Sequence, residues 1–98
     1  MHFLLFYEKT ADHKLREPPL AQLHRQHLDA AVRRGELLLA GSFEDPVDGA
    51  AMLLFDAETP AIAEAFAKAD PYVVDGLVNR WRVRKWDTVV GTELKSTR

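Results

Sequence analysis

The chain has 98 residues, 47% of them apolar and 29% charged, with 13 Lys+Arg against 15 Asp+Glu for a formal net charge of −2. That is enough for one domain with a single modest core and too little for a second, and the charge balance counts against a protein devoted to nucleic acid. With no cysteine in the sequence, disulfides, thiolate nucleophiles, zinc ribbons and iron–sulfur clusters are excluded, and a reducing compartment fits.

Residues 2–8 read as a first strand, aromatic and aliphatic. The run Phe3-Leu4-Leu5-Phe6-Tyr7 meets Glu8 and Lys9 too soon to be a signal-peptide core or a membrane span, so the expectation is a soluble, cytoplasmic protein. Lys9 to Pro19 is polar and contains Pro18-Pro19, which reads as a loop ending where a helix can start, because proline at the first helical position gives up a donor that would be unpaired anyway. Leu20, Leu23, Leu28, Ala31 and Val32 then recur at helical spacing as a buried stripe. Arg33 and Arg34 suit the negative end of the helix dipole, and Gly35 is a stop signal.

Glu36 to Phe43 reads as a second strand, residues 44–49 as a turn, and Ala50 to Asp56 as a third strand, together a hairpin. Thr59 caps a second helix with Pro60 at its first position, Glu64 in its first two turns, and Ile62, Ala63, Phe66 and Ala67 facing inward. Asp70-Pro71 interrupts it, Tyr72 to Leu77 is a turn or helical turn, and Arg80 to Trp86 alternates as a last strand. The tail from Thr92 to Arg98 is polar and expected to fray. The order is β-α-β-β-α-β, an α+β ferredoxin-like pattern with an antiparallel sheet and both helices on one face. The expectation is a single domain over 1–98, with its core at about 2–87 and a tail over 88–98.

Two helices cover one face of such a sheet, and the other face normally alternates to polar. Here Phe3 to Tyr7, Leu37 to Ala40 and Met52 to Phe55 are apolar at both parities. One copy would expose several hundred Å² of apolar surface, roughly at or above what monomers tolerate. A homodimer of the dimeric α+β barrel type, packed sheet to sheet, resolves this.

Four histidines are the first candidates for chemistry. His2 and His13 read as ordinary surface residues. His24 and His27 lie three apart on the first helix and could share an ion, but a structural site needs further ligands that only carboxylates or His13 could supply; no metal and no cofactor is expected. His24 sits at the edge of the buried stripe, where a partly desolvated imidazole needs a partner. By pattern alone it reads as a satisfied boundary residue, and Asp70 as a helix cap. Gly41-Ser42 at a strand end could offer N–H groups and a hydroxyl to an anionic oxygen. Arg80, Arg82 and Arg84 form a basic stripe opposite Trp81 and Val83. The glycine–aromatic motif of ferredoxin-like RNA binders is missing, so the stripe reads as a solvated edge beside acidic neighbours.

Several of these pieces together resemble the YciI-like (YCII-related) domain family: His24, then Gly35-Glu36-Leu37 and Ala40-Gly41, Asp48-Gly49 before the third strand, Asp70-Pro71-Tyr72 followed by Gly76-Leu77, and Trp86. The resemblance covers about residues 3–87 and implies a ferredoxin-like fold and a dimeric α+β barrel. It also implies that His24 and Asp70 pair in a pocket, and one branch of the family is a dehydrochlorinase acting on a chlorinated hydroxyquinol. This sequence departs from the family at Ser42, where proline often follows the glycine, and at Ala21, where the family's arginine before the histidine is missing and Arg16 is the stand-in.

Two readings follow. One is a cofactor-independent lyase or isomerase in which His24 and Asp70 act as a general acid/base dyad on a small phenolic or enolic substrate, with Tyr72, Ser42, Phe43 and Arg16 as substrate-binding candidates. The other is a non-catalytic small-ligand-binding or interaction module built on the same pair.

Overall fold

The computed structural model describes residues 1–92. Its elements are β1 (His2–Lys9), α1 (His13–Arg33), β2 (Leu37–Ser42), β3 (Ala51–Asp56), α2 (Ala61–Ala69), α3 (Pro71–Val74) and β4 (Val78–Trp86). The four strands form one antiparallel sheet in the order β2-β3-β1-β4. This is the ferredoxin-like fold, the protomer architecture of dimeric α+β barrels. Among the described residues no helix is long and apolar enough to cross a membrane. The expectation for the tail lies, beyond Thr92, outside the described residues.

The core follows from strand parity, since alternate side chains point to opposite faces. Phe3, Leu5 and Tyr7 of β1 are buried under the helices, beside Leu53 and Phe55 of β3. From α2, Ala63, Phe66 and Ala67 close over them, with Phe66 edge-on to Phe55 at 5.2 Å between ring centres. Trp81 and Val83 of β4 pack against the same cluster. On the helix-free face the other parity carries Leu4, Phe6, Met52 and Leu54, only half covered, and Leu39 is 70% exposed. Arg82 lies over the Phe6 ring at 4.8 Å and Arg80 is 3.9 Å from Glu8, so two members of the basic stripe already have partners at this edge.

The largest difference from the sequence expectation is the start of α1. The segment read as a loop is helical from His13, with Pro18 and Pro19 inside the helix. Two prolines remove the N–H groups that Lys14 and Leu15 carbonyls would accept, which normally breaks a helix. Tertiary ties hold this one. The Asp12 carbonyl accepts from the N–H groups of Leu15 and Arg16 at 3.0 and 3.3 Å. Lys9 Nζ donates to Glu17 Oε1 at 2.8 Å, and Arg16 Nη2 donates to the Asp75 carbonyl at 2.8 Å.

The buried stripe of α1 differs for the same reason. Leu23 and Val32, expected inside, are 54% and 53% exposed, and in α2 Ile62 is 36% exposed. The true inward line is His13, Glu17, Leu20, His24, Leu28 and Ala31, at three- and four-residue intervals along one side of the helix. Polar residues occupy half of it. His13, expected at the surface, is buried, and His2 bonds through Nδ1 to Thr88 Oγ1 at 2.6 Å. Gly35 ends α1 as expected, at φ +76° with its N–H on the Val32 carbonyl.

Candidate functional site

Asp70 lies between α2 and α3, and its backbone explains its dual use. Its N–H closes the last turn of α2 on the Ala67 carbonyl at 3.2 Å. Extended dihedrals (φ −67°, ψ 125°) then turn the chain, Pro71 opens α3, and Asp70 Oδ1 accepts the Tyr72 N–H at 3.0 Å. The expected cap is therefore present. The same carboxylate is fully buried and takes two further bonds: His24 Nδ1 donates to Oδ1 at 2.8 Å, and the Tyr7 hydroxyl donates to Oδ2 at 2.7 Å. The cap and the histidine partner are one residue.

That bond fixes the imidazole. A carboxylate only accepts, so Nδ1 of neutral His24 carries the proton and Nε2 keeps the free lone pair. The ring stacks on Tyr72 at 3.8 Å between centres and 6° between planes. Its side chain is 17% exposed, so it is largely desolvated yet reachable. His27, three residues on, turns elsewhere: Nε2 donates to the Phe66 carbonyl at 2.9 Å and the ring stacks on Phe66. The two histidines thus serve different partners.

A cavity of about 130 Å³ lies against this pair, between α1 and the sheet, with Tyr7, Lys9, Leu53 and Tyr72 among its walls and Gly41 and Ser42 on the β2 side. It is close to the ~150 Å³ that is enough for a benzene ring. Of the residues singled out in the sequence, His24, Tyr72 and Ser42 line it, and Asp70 stands directly behind His24. Phe43 and Arg16 are not among its walls. Phe43 is 46% exposed, and Arg16 is occupied at the α1–α3 junction by the Asp75 carbonyl and Thr10 Oγ1.

The structure also brings in residues that the sequence did not flag. Tyr7 and Lys9 follow Phe3 and Leu5 at the inward parity of β1, and that parity was their signal. Lys9 has a 6% exposed side chain and sits 5.5 Å from the Tyr72 ring centre. Glu17 accepts from Lys9 on one oxygen and lies 3.2 Å from His13 Nδ1 on the other. Gly49, at φ +89°, packs here; a Cβ on it would fall 3.1 Å from both the His13 ring and Lys9 Cβ.

Charge and burial set the titration of these groups. Burial pushes the Tyr7 phenol far above its ordinary range, helped by the negative charge of Asp70 and the hydrogen bond to it. Tyr72 is raised by burial, then by Glu17 and Asp70. Burial works to raise Glu17, but hydrogen bonds from Lys9 and His13 and their charges outweigh it, so its carboxyl lies below the ordinary value. Both tyrosines therefore stay protonated and serve as walls and donors rather than bases.

Comparison with known proteins places the fold. The chain superposes on 5-chloro-2-hydroxyhydroquinone dehydrochlorinase (TftG) from Burkholderia phenoliruptrix AC1100, solved in complex with 2,5-dihydroxybenzoquinone, with a TM-score of 0.73, 18% identity, and coverage of 89% of this chain and 94% of that one. An antibiotic biosynthesis monooxygenase gives a TM-score of 0.54 at 15% identity, covering 91% and 98% of the two chains. A protein of Mycobacterium tuberculosis gives 0.54 at 10% identity, covering 94% and 97%. No curated protein matches by sequence. The sequence profile of the YCII-related domain matches residues 1–87, nearly the whole described chain. The chain belongs to the YCII-related domain family.

Proposed function

We propose that the protein is a cofactor-independent enzyme of the lyase or isomerase type, working on a small single-ring phenolic or enolic substrate. The observation that carries this is the His24 Nδ1–Asp70 Oδ1 bond of 2.8 Å, made to a fully buried carboxylate at the wall of a ring-sized cavity. Asp70 is the orienting group: it holds the imidazole tautomer and balances the positive charge the ring gains. His24 Nε2 is the acid/base: it takes a proton from a ring hydroxyl and returns it to a ring carbon, giving the keto form. A second hydroxyl deprotonation then sends its electron pair into a C=O bond, and the leaving group departs with its own bond pair. The net change is loss of one HX, with no oxidant or reductant. Acid–base catalysis of this kind is worth roughly 10²–10⁴ in rate. The dehydrochlorinase that shares the fold is named for such an elimination.

The bonds from Tyr7 and Tyr72 to Asp70 also support the other reading, a non-catalytic ligand-binding module, because they tie β1 to α3 whether or not anything reacts. NMR titration of the His24 ring separates the two. A catalytic base titrates near neutrality and shifts with small phenols; a locked structural pair responds to neither. On a substrate found by screening chlorinated hydroxyphenols, His24→Ala abolishes turnover in a folded protein, and retained activity overturns the assignment.

The assembly proposed with this site is a homodimer through the helix-free face. Half-covered Leu4, Phe6, Met52 and Leu54 and exposed Leu39 support it, a patch that water leaves unpaired in one copy. Sedimentation at micromolar concentration gives a dimer, and Phe6→Asp a monomer; a clean monomer for the unaltered chain sinks this part.

A further inference from the structure

We propose that Lys9 makes the cavity selective for a ring bearing an ionised oxygen, an enolate or phenolate, by hydrogen-bonding that oxygen while His24 faces another substituent of the same ring. The inference rests on the cavity being the ligand site.

Lys9 is at the inward parity of β1, its side chain is 6% exposed, and it lines the cavity that His24 lines. Both groups contact Tyr72, the imidazole stacked at 3.8 Å and the ammonium 5.5 Å from the ring centre. Both line the same cavity of about 130 Å³, so a single ring bound there lies beside both.

An ammonium has three donors. Among the described residues Glu17 is the hydrogen-bond partner of Nζ, at 2.8 Å, and Glu17 divides its charge with His13, 3.2 Å from its other oxygen. Donors therefore remain for a guest.

Burying a Lys–Glu pair is weak as a stabilising device, since an apolar pair of similar volume often does as well or better. A strap between β1 and α1 needs no charge, whereas an enzyme that deprotonates a ring hydroxyl gains from a preorganised, charged donor where the oxyanion develops. Gly49 packs against Lys9 Cβ and the His13 ring, restraining the base of this arm.

The test compares two rings of equal size, 4-nitrophenolate and neutral nitrobenzene, at pH 8.5, by NMR titration of the folded protein following the His24 ring signal. The unaltered protein is expected to bind the phenolate at least tenfold more tightly, in line with a charge-assisted hydrogen bond. Lys9→Met removes that preference while nitrobenzene affinity and the His24 response stay. Glu17→Gln keeps the ammonium without its counter-charge and raises the preference severalfold, a second reading should Lys9→Met fold poorly. Binding of both rings without preference, or a preference that survives Lys9→Met or is unchanged in Glu17→Gln, overturns the role of Lys9 alone. If neither ring moves the His24 signal, the ligand site itself is wrong and this proposal falls with it.

Discussion

Tyr7 donates its hydroxyl to Asp70 on the carboxylate oxygen opposite the one that holds His24, at 2.7 Å against 2.8 Å. The strand thus sets the carboxylate, and the carboxylate sets the imidazole. Tyr7→Phe removes one donor and leaves a buried acceptor short of a partner, costing about 1–2 kcal/mol. Asp70→Ala strands the Tyr7 hydroxyl, the His24 Nδ1–H and the Tyr72 N–H together and costs about 2–5 kcal/mol, a large part of a small domain's stability. Urea denaturation of the two variants gives this order; equal losses would mean that the Oδ1 bonds to His24 and Tyr72 add nothing.

The alkaline limb of stability reports on the same phenol. In the unfolded chain a tyrosine loses its proton near pH 10, whereas folded Tyr7 and Tyr72 keep theirs to higher pH. Above pH 10 the unfolded state binds fewer protons, so stability falls as pH rises. The sequence contains two tyrosines, both in this cluster. Absorbance of the native protein shows no phenolate step at pH 10, the step appears in denaturant, and Tyr7→Phe makes the alkaline loss shallower.

At the acid end Glu17 contributes. Its carboxyl lies below its ordinary value of 4.5 in the folded protein, so the unfolded chain takes up the proton first. The contribution is complete above that value and is lost as pH falls through the lower folded one. Glu17→Gln flattens the decline in stability as pH falls through 4.5 and below. An unchanged acid limb would show that Lys9 and His13 do not hold the carboxylate in solution.

Gly49→Ala tests the close approach of the loop to the Lys9 arm. The residue would adopt φ +89° with its Cβ 3.1 Å from Lys9 Cβ, an atom too near the backbone to move aside. The cost is about 1–3 kcal/mol, read as a fall in Tm of roughly 4–8 °C per kcal/mol. Gly35→Ala is the comparison, since no atom lies within 4 Å there and only the φ of +76° opposes it.

What the sequence discloses depends on how well each element separates polar from apolar. The strands do so by parity, and the ferredoxin-like order and the β2–β3 hairpin are readable from them. Helix α1 does not. Its inward line places His13, Glu17 and His24 where a stripe is expected to carry leucines, so Leu23 and Val32 are taken for core and the first turns for a loop. Pro18 and Pro19 reinforce the error, because local preference points to a break that contacts from Lys9 and Asp75 prevent. The site is hidden for the same reason. His24 and Asp70 are found through a family resemblance, whereas Tyr7 and Lys9 look like the end of a strand. Arg16 is drawn in as the stand-in for the family's arginine, yet its guanidinium is committed to Asp75 and Thr10.

The three bonds to Asp70 also carry a kinetic meaning. Tyr7 and His24 reach it across 63 and 46 positions of chain, and closing such loops is among the later and slower events of folding. A half-formed chain with a helix or a hairpin in place has no aligned imidazole. The His24 ring signal is therefore expected to report completed folding, reaching its native position with the last long-range contacts, and a newly made chain gains its paired imidazole only at that point.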